Sequence, residues 1–594
     1  MGTKMIKDPV HGYIKIQDDY MKNIIDSCEF QRLRNIRQTS YDSLYPGSSH
    51  SRFIHSLGVY YLGLKAFTAF QYNVENQEQL KGKAGKIKWD NLKSTFELAC
   101  LLHDVDHTPF SHTGEDFLLF EKEADQFEIM KGSLRQKEKP QISALYNELL
   151  RTMQKKLEEN IFGKFLEDFA KTIKGSKNYV SDKSVAKPHE IMSVIVAIDT
   201  YENALNLKNV DYDLFARMIL GICYEDASKF GMGVKDALIQ MLNSSIIDVD
   251  RLDYIIRDTQ MSGFDSTSID IERLLESVTL IYDRQGCTYH FGYMKNALST
   301  IINVVLAHDA ERRWIQAHPV VMYDSFLIKK CISAVENKFK AAEGAKSIFQ
   351  KQAFTAQGIQ LENGLKLRLM NDSDFIFLMK QIDQTEKYGP YIYEYLARDK
   401  RRSPIWKSEA EFRLILNDLT KRQQEILMDT FAATGEKDEE NSIGSILNPT
   451  RIEELEEEIK NIKKSMAGDD EDFQKTALNR ERQLFWLKQM ETFFTEREMD
   501  FNVYNQKTEV FRSKINSLSE LGVEIWYEQF KKSESIKEVL NLYNTIEDTG
   551  QKKTEKEVPI RLFYLYTRKD NKFKTEEFIR FLKETLDEYE KKFL

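Results

Sequence analysis

From Met5 to about Ala334 the chain alternates apolar stretches at helical spacing with short polar turns. Tyr60, Leu64 and Phe67 continue one such stretch, and Leu98, Leu101 and Leu102 close another. Residues 121–183 carry more charge and read as an insertion between two functional helices. The pattern changes from Ile452, where Ile452, Leu455, Ile459 and Ile462 recur at spacings of three and four between Glu and Lys. A break over residues 467–472 follows, and Leu478, Leu484, Leu487 and Met490 resume the stripe. This predicts an antiparallel helical hairpin over 452–497, a packing or interface element rather than a catalytic one. The aromatic run from Arg561 to Tyr566 predicts a strand, and residues 575–592 a last amphipathic helix. The expected fold is mainly α. It has a helical core over residues 1–335, a helical region with the hairpin over 336–500, and a small α+β regulatory or assembly lobe over 501–594.

Composition narrows the class without changing that picture. With 594 residues, 41% hydrophobic and 30% charged, the chain reads as a globular protein of two or three domains. No apolar run approaches the roughly 18 residues of a membrane helix. The first residues lack the apolar stretch of a signal peptide, so a cytoplasmic location is expected. Cys28, Cys100, Cys223, Cys287 and Cys331 are scattered with no C-x-x-C pair, against both a zinc ribbon and a disulfide framework. A net charge of -9 supplies no global basic field for nucleic acid, though a local phosphate pocket is compatible with it.

Candidate chemistry sits in three segments of the first region, which also holds all ten histidines. They are Ser51-Arg-Phe-Ile-His55-Ser-Leu-Gly58, the block from His103-Asp104 through Asp106-His107 to His112, and Asp248-Val-Asp250-Arg-Leu-Asp253-Tyr254 with Arg257 and Asp258. An adjacent His-Asp pair offers a nitrogen and an oxygen at a helix end. A distant His and Asp complete a mixed set suited to a divalent ion with positions open to water and substrate. Pro109 forces the helix to stop where these side chains emerge. In a helix, Asp250, Asp253, Tyr254, Arg257 and Asp258 share one polar face. That face reads either as a solvated surface or as a wall for metal, phosphate and sugar.

At these residues the chain resembles the HD-domain deoxynucleoside triphosphate triphosphohydrolases, which include bacterial dGTPases and the SAM-and-HD-domain enzymes. The resemblance covers roughly the first 335 residues in family order: the block from Ile6-Lys-Asp-Pro-Val-His-Gly, Phe30-Gln-Arg-Leu-Arg, Tyr45-Pro-Gly through His55, His103-Asp104, and Asp248 to Tyr254. It implies an HD-domain core with His55, His103, Asp104 and Asp250 as metal ligands. It implies catalytic or triphosphate-contacting roles for His107, His112 and His189, with Glu115 orienting His112. Arg52 and Arg251 match phosphate-binding positions, Arg251 standing where the family has lysine. Gln38, Tyr254 and Asp258 match the sugar wall. One divalent ion per site is implied (Mn, Mg, Fe, Co or Ni), with a second Mg accompanying the nucleotide. The implied reaction releases deoxynucleoside and intact triphosphate, with His112 favoured as the proton donor.

Two departures stand out. Asp106 occupies a usual glycine position and is expected to add a carboxylate beside the metal. The region Ala310–His318 resembles the family's late active-site helix but lacks its tyrosine near Ile315.

Lys4, Asp26, Gln31 and Arg34 match positions that in the vertebrate enzyme bind an activating guanine nucleotide between subunits; the alternative is a solvated helix face. The expected partners are a dNTP substrate, a nucleotide effector and further copies of the chain, with a partner protein and nucleic acid left open and no membrane. Two other function classes remain. One is an HD phosphohydrolase of another nucleotide or a nucleic-acid end. The other is a partner-dependent nucleotide-sensing effector, for example in antiviral (antiphage) defence by dNTP depletion.

Overall fold

A computed structural model describes residues 2–118, 140–174, 186–244, 247–264, 268–283, 287–342, 347–362, 364–386, 388–398, 401–431, 451–465, 471–497, 501–509, 524–527, 532–536, 561–568 and 574–594. The described residues are mainly helical, with a few small sheets. They group into two compact units.

The first unit comprises Met1–Ile315, Ile328–Gly389 and Ser513–Gly550. It opens with an antiparallel hairpin, β1 (Thr3–Asp8) and β2 (Gly12–Gln17), closed by a three-residue turn. Gly12 takes φ +76° there, the left-handed residue such a turn demands. The centre is α1 (Arg52–Asn76), whose Phe53, His55, Leu57, Val59, Tyr60, Leu62, Phe67 and Phe70 are all buried. A helix apolar on every side needs neighbours on every side. They include α2 (Trp89–Leu102) and α7 (Val249–Ser262). Gly58 lets α7 come close: a Cβ there would stand 1.9 Å from Asp253 Oδ1 and 2.4 Å from Arg257 Nη2.

Within the expected insertion, residues 140–174 form α3 (Pro140–Lys156) and α4 (Glu159–Lys174); residues 121–139 and 175–183 lie outside the described residues. Helix α3 packs on α5 (Pro188–Leu207) through Tyr146, Leu149 and Met153. Helix α4 is pinned to α6 (Tyr212–Leu220) by the buried Asp168–Arg217 pair at 2.9 Å. Beyond α7, β3 (Val278–Asp283) and β4 (Thr288–Met294) pair antiparallel, and α8 (Leu298–Glu311) and α9 (Asp372–Met379) follow. The sheet is completed from far along the chain. β7 (Glu524–Tyr527) runs parallel to β4, and β8 (Lys532–Ser535) antiparallel to β7.

The second unit comprises Gln316–Leu327, Pro390–Arg512 and Gln551–Leu594. The periodic stretch from Ile452 forms α10 (Arg451–Ser465) and α11 (Glu471–Thr495). Helix α11 resumes at Glu471, inside the expected break, and residues 466–470 lie outside the described ones. Lys463 pairs with Glu481 at 2.5 Å and Glu456 with Lys488 at 2.6 Å. The partners run in opposite order, so the helices are antiparallel. The aromatic run is a strand, β9 (Arg561–Thr567), between β5 (Ser403–Pro404) and β6 (Phe501–Glu509), and the chain ends in α12 (Thr575–Phe593). No described helix is long and apolar enough to cross a membrane.

Candidate active site

Three helices of the first unit deliver the site. His55 lies in the first turn of α1, His103 and Asp104 just past the end of α2, and Asp250 in the first turn of α7. Asp248 caps α7 by accepting from Arg251 N–H at 2.6 Å, which fixes where Asp250 emerges. His55 Nε2 stands 3.0 Å from Asp250 Oδ1 and 3.6 Å from Asp104 Oδ2. His103 Nε2 stands 3.6 Å from each of those oxygens.

The outer nitrogens are committed elsewhere. His55 Nδ1 donates to Asp253 Oδ2 at 2.8 Å, and His103 Nδ1 to the Cys100 carbonyl at 2.9 Å. In the neutral ring each Nε2 then carries the inward lone pair, and both are buried without a hydrogen-bond partner. This is how a protein orients imidazoles for a metal. Donors held about 2.1 Å from an ion in tetrahedral or octahedral array lie about 3.0–3.4 Å apart. The His55–Asp250 spacing of 3.0 Å lies in that range, and the other three, at 3.6 Å, lie just beyond it. His55, His103 and Asp250 converge closely enough to hold a divalent ion. Asp104 stands 3.6 Å from both imidazoles while also bound by Arg52, and Asp250, with a side chain 40% exposed, marks the open side.

A second group adjoins the first through the turn after α2. His112 Nδ1 and His189 Nδ1 donate to the same Glu115 oxygen at 2.6 and 2.9 Å, and His107 Nε2 lies 3.9 Å from it. The His107 and His189 rings stack at 4.5 Å and 15°. In the second group Glu115 is hydrogen-bonded to two of the three imidazoles, and the four side chains also lie close enough together to hold a cation. Burial would raise Glu115, but His189 and His112 hold it well below the usual carboxylate range. His107 is driven well below the usual histidine range by burial, reinforced by Arg52 and His189. It is neutral at neutral pH, and both its nitrogens are buried without partners.

Arg52 stands between the groups. It donates to Asp104 at 2.6 Å, Ser111 Oγ at 3.0 Å and the Gln38 carbonyl at 3.2 Å. Burial pushes the Asp104 carboxyl up, yet Arg52, His103 and His55 keep it well below its ordinary value. Arg251 Nε donates to Tyr254 Oη at 3.2 Å while its Nη1 is buried and unpartnered, and Tyr254 Oη also lies 3.2 Å from His308 Nε2. Asp258 accepts from His50 at 2.7 Å, and the Gln38 side-chain oxygen is buried without a partner.

The polar face of α7 is therefore divided. Asp250 and Tyr254 face the site, whereas Asp253 and Arg257 are wholly buried beneath it. Asp253 is held far below its ordinary value: burial opposes this, but Arg257, His11 and His55 outweigh it. Asp106 is not in the metal group as expected. It turns to Arg32, 3.8 Å away, and burial lifts its carboxyl to about 7. Ile315 is fully buried. At the surface, Lys4 and Asp26 approach to 3.9 Å, and Gln31 links the Ile25 carbonyl (2.7 Å) to Arg34 (2.7 Å), so these four share one patch.

Sequence reasoning assigned no role to several supports. His11 reaches Asp253 at 2.6 Å, and His50 reaches Asp258. Asp372, at the start of α9, accepts from the backbone N–H of Arg37 at 2.9 Å and of Phe110 at 2.7 Å. Arg32 grips the His107 and Met370 carbonyls at 2.6 and 2.8 Å. Only Asp253–Arg257, four apart on one helix, carried a local signal.

No family model matches the chain. The uncharacterized protein YwfO of Bacillus subtilis is 40% identical over 115 residues, 19% of this chain and 24% of that protein. The deoxynucleoside triphosphate triphosphohydrolase SAMHD1 of Homo sapiens is 39% identical over 110 residues, 18% of this chain and 16% of its own length. Among solved structures, a hypothetical protein from Aquifex aeolicus aligns over 98% of this chain and 100% of its own at 16% identity, with a TM-score of 0.44. The first curated relatives are matched over only 24%, 49% and 54% of their lengths. The local identity supports an HD-type region spanning about a fifth of the chain and does not reach the narrower bacterial dGTPase branch.

Proposed function

We propose that the chain hydrolyses deoxynucleoside triphosphates to deoxynucleoside and inorganic triphosphate, with a divalent ion held by His55, His103, Asp104 and Asp250. The observation that carries this reading is the convergence of His55, His103 and Asp250, with Asp104 beside them, next to a second group in which Glu115 is hydrogen-bonded to His112 and His189. The local identity to enzymes named for that reaction supports the substrate class. An ion bound there supplies an acidified water and a polarised phosphoryl oxygen.

The chain's own residues do the rest. Glu115 holds His112 by Nδ1, leaving its outer nitrogen toward solvent on a side chain 55% exposed. Burial, with His189 and Arg52, holds His112 below the ordinary histidine value against the pull of Glu115. Its protonated form is therefore a strong acid that gives its proton to the 5'-oxygen as water adds to the α-phosphorus and the bond to that oxygen breaks. His107 and His189 line the triphosphate side, and the unpartnered Arg251 Nη1 offers a cationic donor for the charge that develops. Arg52 joins that role by sharing its guanidinium between Asp104 and phosphate. Gln38, Tyr254 and Asp258 form the sugar wall, with His50 setting Asp258. The Lys4, Asp26, Gln31 and Arg34 patch is the effector site of this reading: a carboxylate for guanine N–H groups beside cations for phosphate.

The deciding experiment is mass-spectrometric product analysis of the four dNTPs and GTP with manganese, beside His103→Ala/Asp104→Ala. Deoxynucleoside plus triphosphate, absent in the double variant, is the expected result. Monophosphate or orthophosphate would move the reading to another HD phosphohydrolase. No turnover with any nucleotide mixture would reject it in favour of a partner-dependent effector.

A further inference from the structure

The metal group is tied to the N-terminal hairpin through a buried chain of ionic contacts that the proposed reaction does not itself use. At the hairpin turn, one Asp8 oxygen accepts from the N–H groups of Val10 and His11 at 2.9 and 2.7 Å, which holds the turn rigid. The other accepts from Arg257 Nη1 at 2.8 Å. Arg257 in turn donates twice to Asp253, at 2.8 and 2.9 Å. His11 Nε2 completes the ring by donating to Asp253 Oδ1 at 2.6 Å. The remaining donor on Asp253 is His55 Nδ1, on the other oxygen. All these side chains are buried, His11 to within 6%.

An aspartate that accepts from two histidines and a bidentate arginine has no rotational freedom, and its orientation dictates the plane of the His55 ring. The outer partners of a metal-bound imidazole set both its tautomer and its aim. From this geometry we infer that His11 is a positioning residue: acting through Asp253, it fixes the His55 ring so that Nε2 is presented to the ion. The inference rests on the assignment of His55 as a metal ligand. His11 is 242 residues from Asp253 in sequence, so the hairpin must be seated on α7 for the hold to exist. Gln260 Nε2 donating to the Pro9 carbonyl at 3.2 Å makes a second tether between the same turn and the same helix.

The test is manganese binding by the metal-stripped full-length protein, followed by electron paramagnetic resonance well below the melting temperature. Wild type is compared with His11→Ala, His11→Gln and His11→Asn. The alanine variant is expected to bind manganese about 10–100-fold more weakly, the range typical of lost outer-shell partners. At saturating manganese its KM for dNTP should stay within about twofold of wild type. Glutamine, whose amide reaches the place of Nε2, should restore most of the affinity, and the shorter asparagine should not. If the alanine variant does not fold, the glutamine–asparagine pair makes the same comparison. Unchanged manganese affinity in the alanine variant, or equal affinity in the glutamine and asparagine pair, overturns the inference whatever happens to the melting temperature. Wild type that binds no manganese overturns both the inference and the metal assignment. Wild type that binds manganese but converts no dNTP overturns the proposed substrate alone, and the His11 comparison still decides.

Discussion

His55 shows how one side chain can couple metal binding to pH. Burial pushes it down, yet Asp250 and Asp253 raise it to about 9 in the metal-free protein. Ligation requires the neutral ring, so an ion must displace that proton. Manganese affinity should therefore rise about tenfold per pH unit from 7 to 9 and level off above. Calorimetric titration checks this, and a flat profile would reject it. The stability effect has the opposite sign. A folded value of about 9 against 6.5 unfolded stabilises the metal-free protein fully below pH 6.5, and this contribution disappears as pH rises through 9.

Asp106 is the reverse case. Its carboxyl, lifted to about 7 by burial, is protonated more readily folded than unfolded, so it destabilises increasingly from about pH 4 to 7. Asp106→Asn should raise stability by roughly 1–3 kcal/mol above pH 7, with the gain vanishing near pH 4. Thermal melts across pH measure it. Glu115→Gln should lower kcat by about 10²–10⁴ while manganese stoichiometry stays at the wild-type value, since it removes the charge that holds His112 and His189 and not one of the four proposed ligands.

At the scale of elements, the site depends on how closely α7 approaches α1. Gly58 permits it, and the Cβ of Gly58→Ala would collide with both Asp253 and Arg257. Neither can retreat, because each is bound to a third group. The expected cost is about 2–3 kcal/mol with weakened manganese binding, read from urea midpoints and metal titration. The substituted position lies three residues after His55, on the same helix, so a packing fault becomes a fault in the metal group. The start of α9 has a comparable role on the other side, where Asp372 satisfies two backbone N–H groups around the histidine turn. That turn is unusual in itself, with Phe110 and Ser111 at φ 61° and 50°. Two non-glycine residues in left-handed conformation persist only when their surroundings hold them.

Across the whole molecule, the first unit is assembled from distant parts of the chain. Residues 328–389 and the two strands after residue 523 return to it from far downstream. An internally truncated chain lacking residues 524–535 should lose β7 and β8 and leave the edge of β4 unpaired, an invitation to intermolecular pairing. The expected outcome is aggregation of the truncated protein in light scattering at concentrations where the full chain stays dispersed. Dispersed truncated protein with an unchanged melting temperature would reject this role for the strands.

What the amino-acid sequence by itself determined is the local part of this protein. Apolar residues at spacings of three and four placed α1, α2, α10 and α11, and aromatic density placed β9, whereas α2 stops at Leu102, seven residues before the Pro109 expected to end it. The three segments that hold His55, His103, Asp104 and Asp250 stood out as His and Asp clusters beside periodic stretches, and the resemblance to the HD-domain family singled out those four. Which groups support them was decided only by tertiary structure. His11 and Asp253 are 242 residues apart, His50 and Asp258 208, and Phe110 and Asp372 262. Periodicity records that a face is buried but not against what, so a buried Asp253 reads the same as an exposed one on the polar side of α7. The same limit made Asp106 look like a neighbour of the metal, when folding turns it to Arg32. Candidate ligands are read from residue type, local position and the family resemblance. Ligand orientation follows from contacts across the fold, because a ring plane is set by whatever holds its far nitrogen.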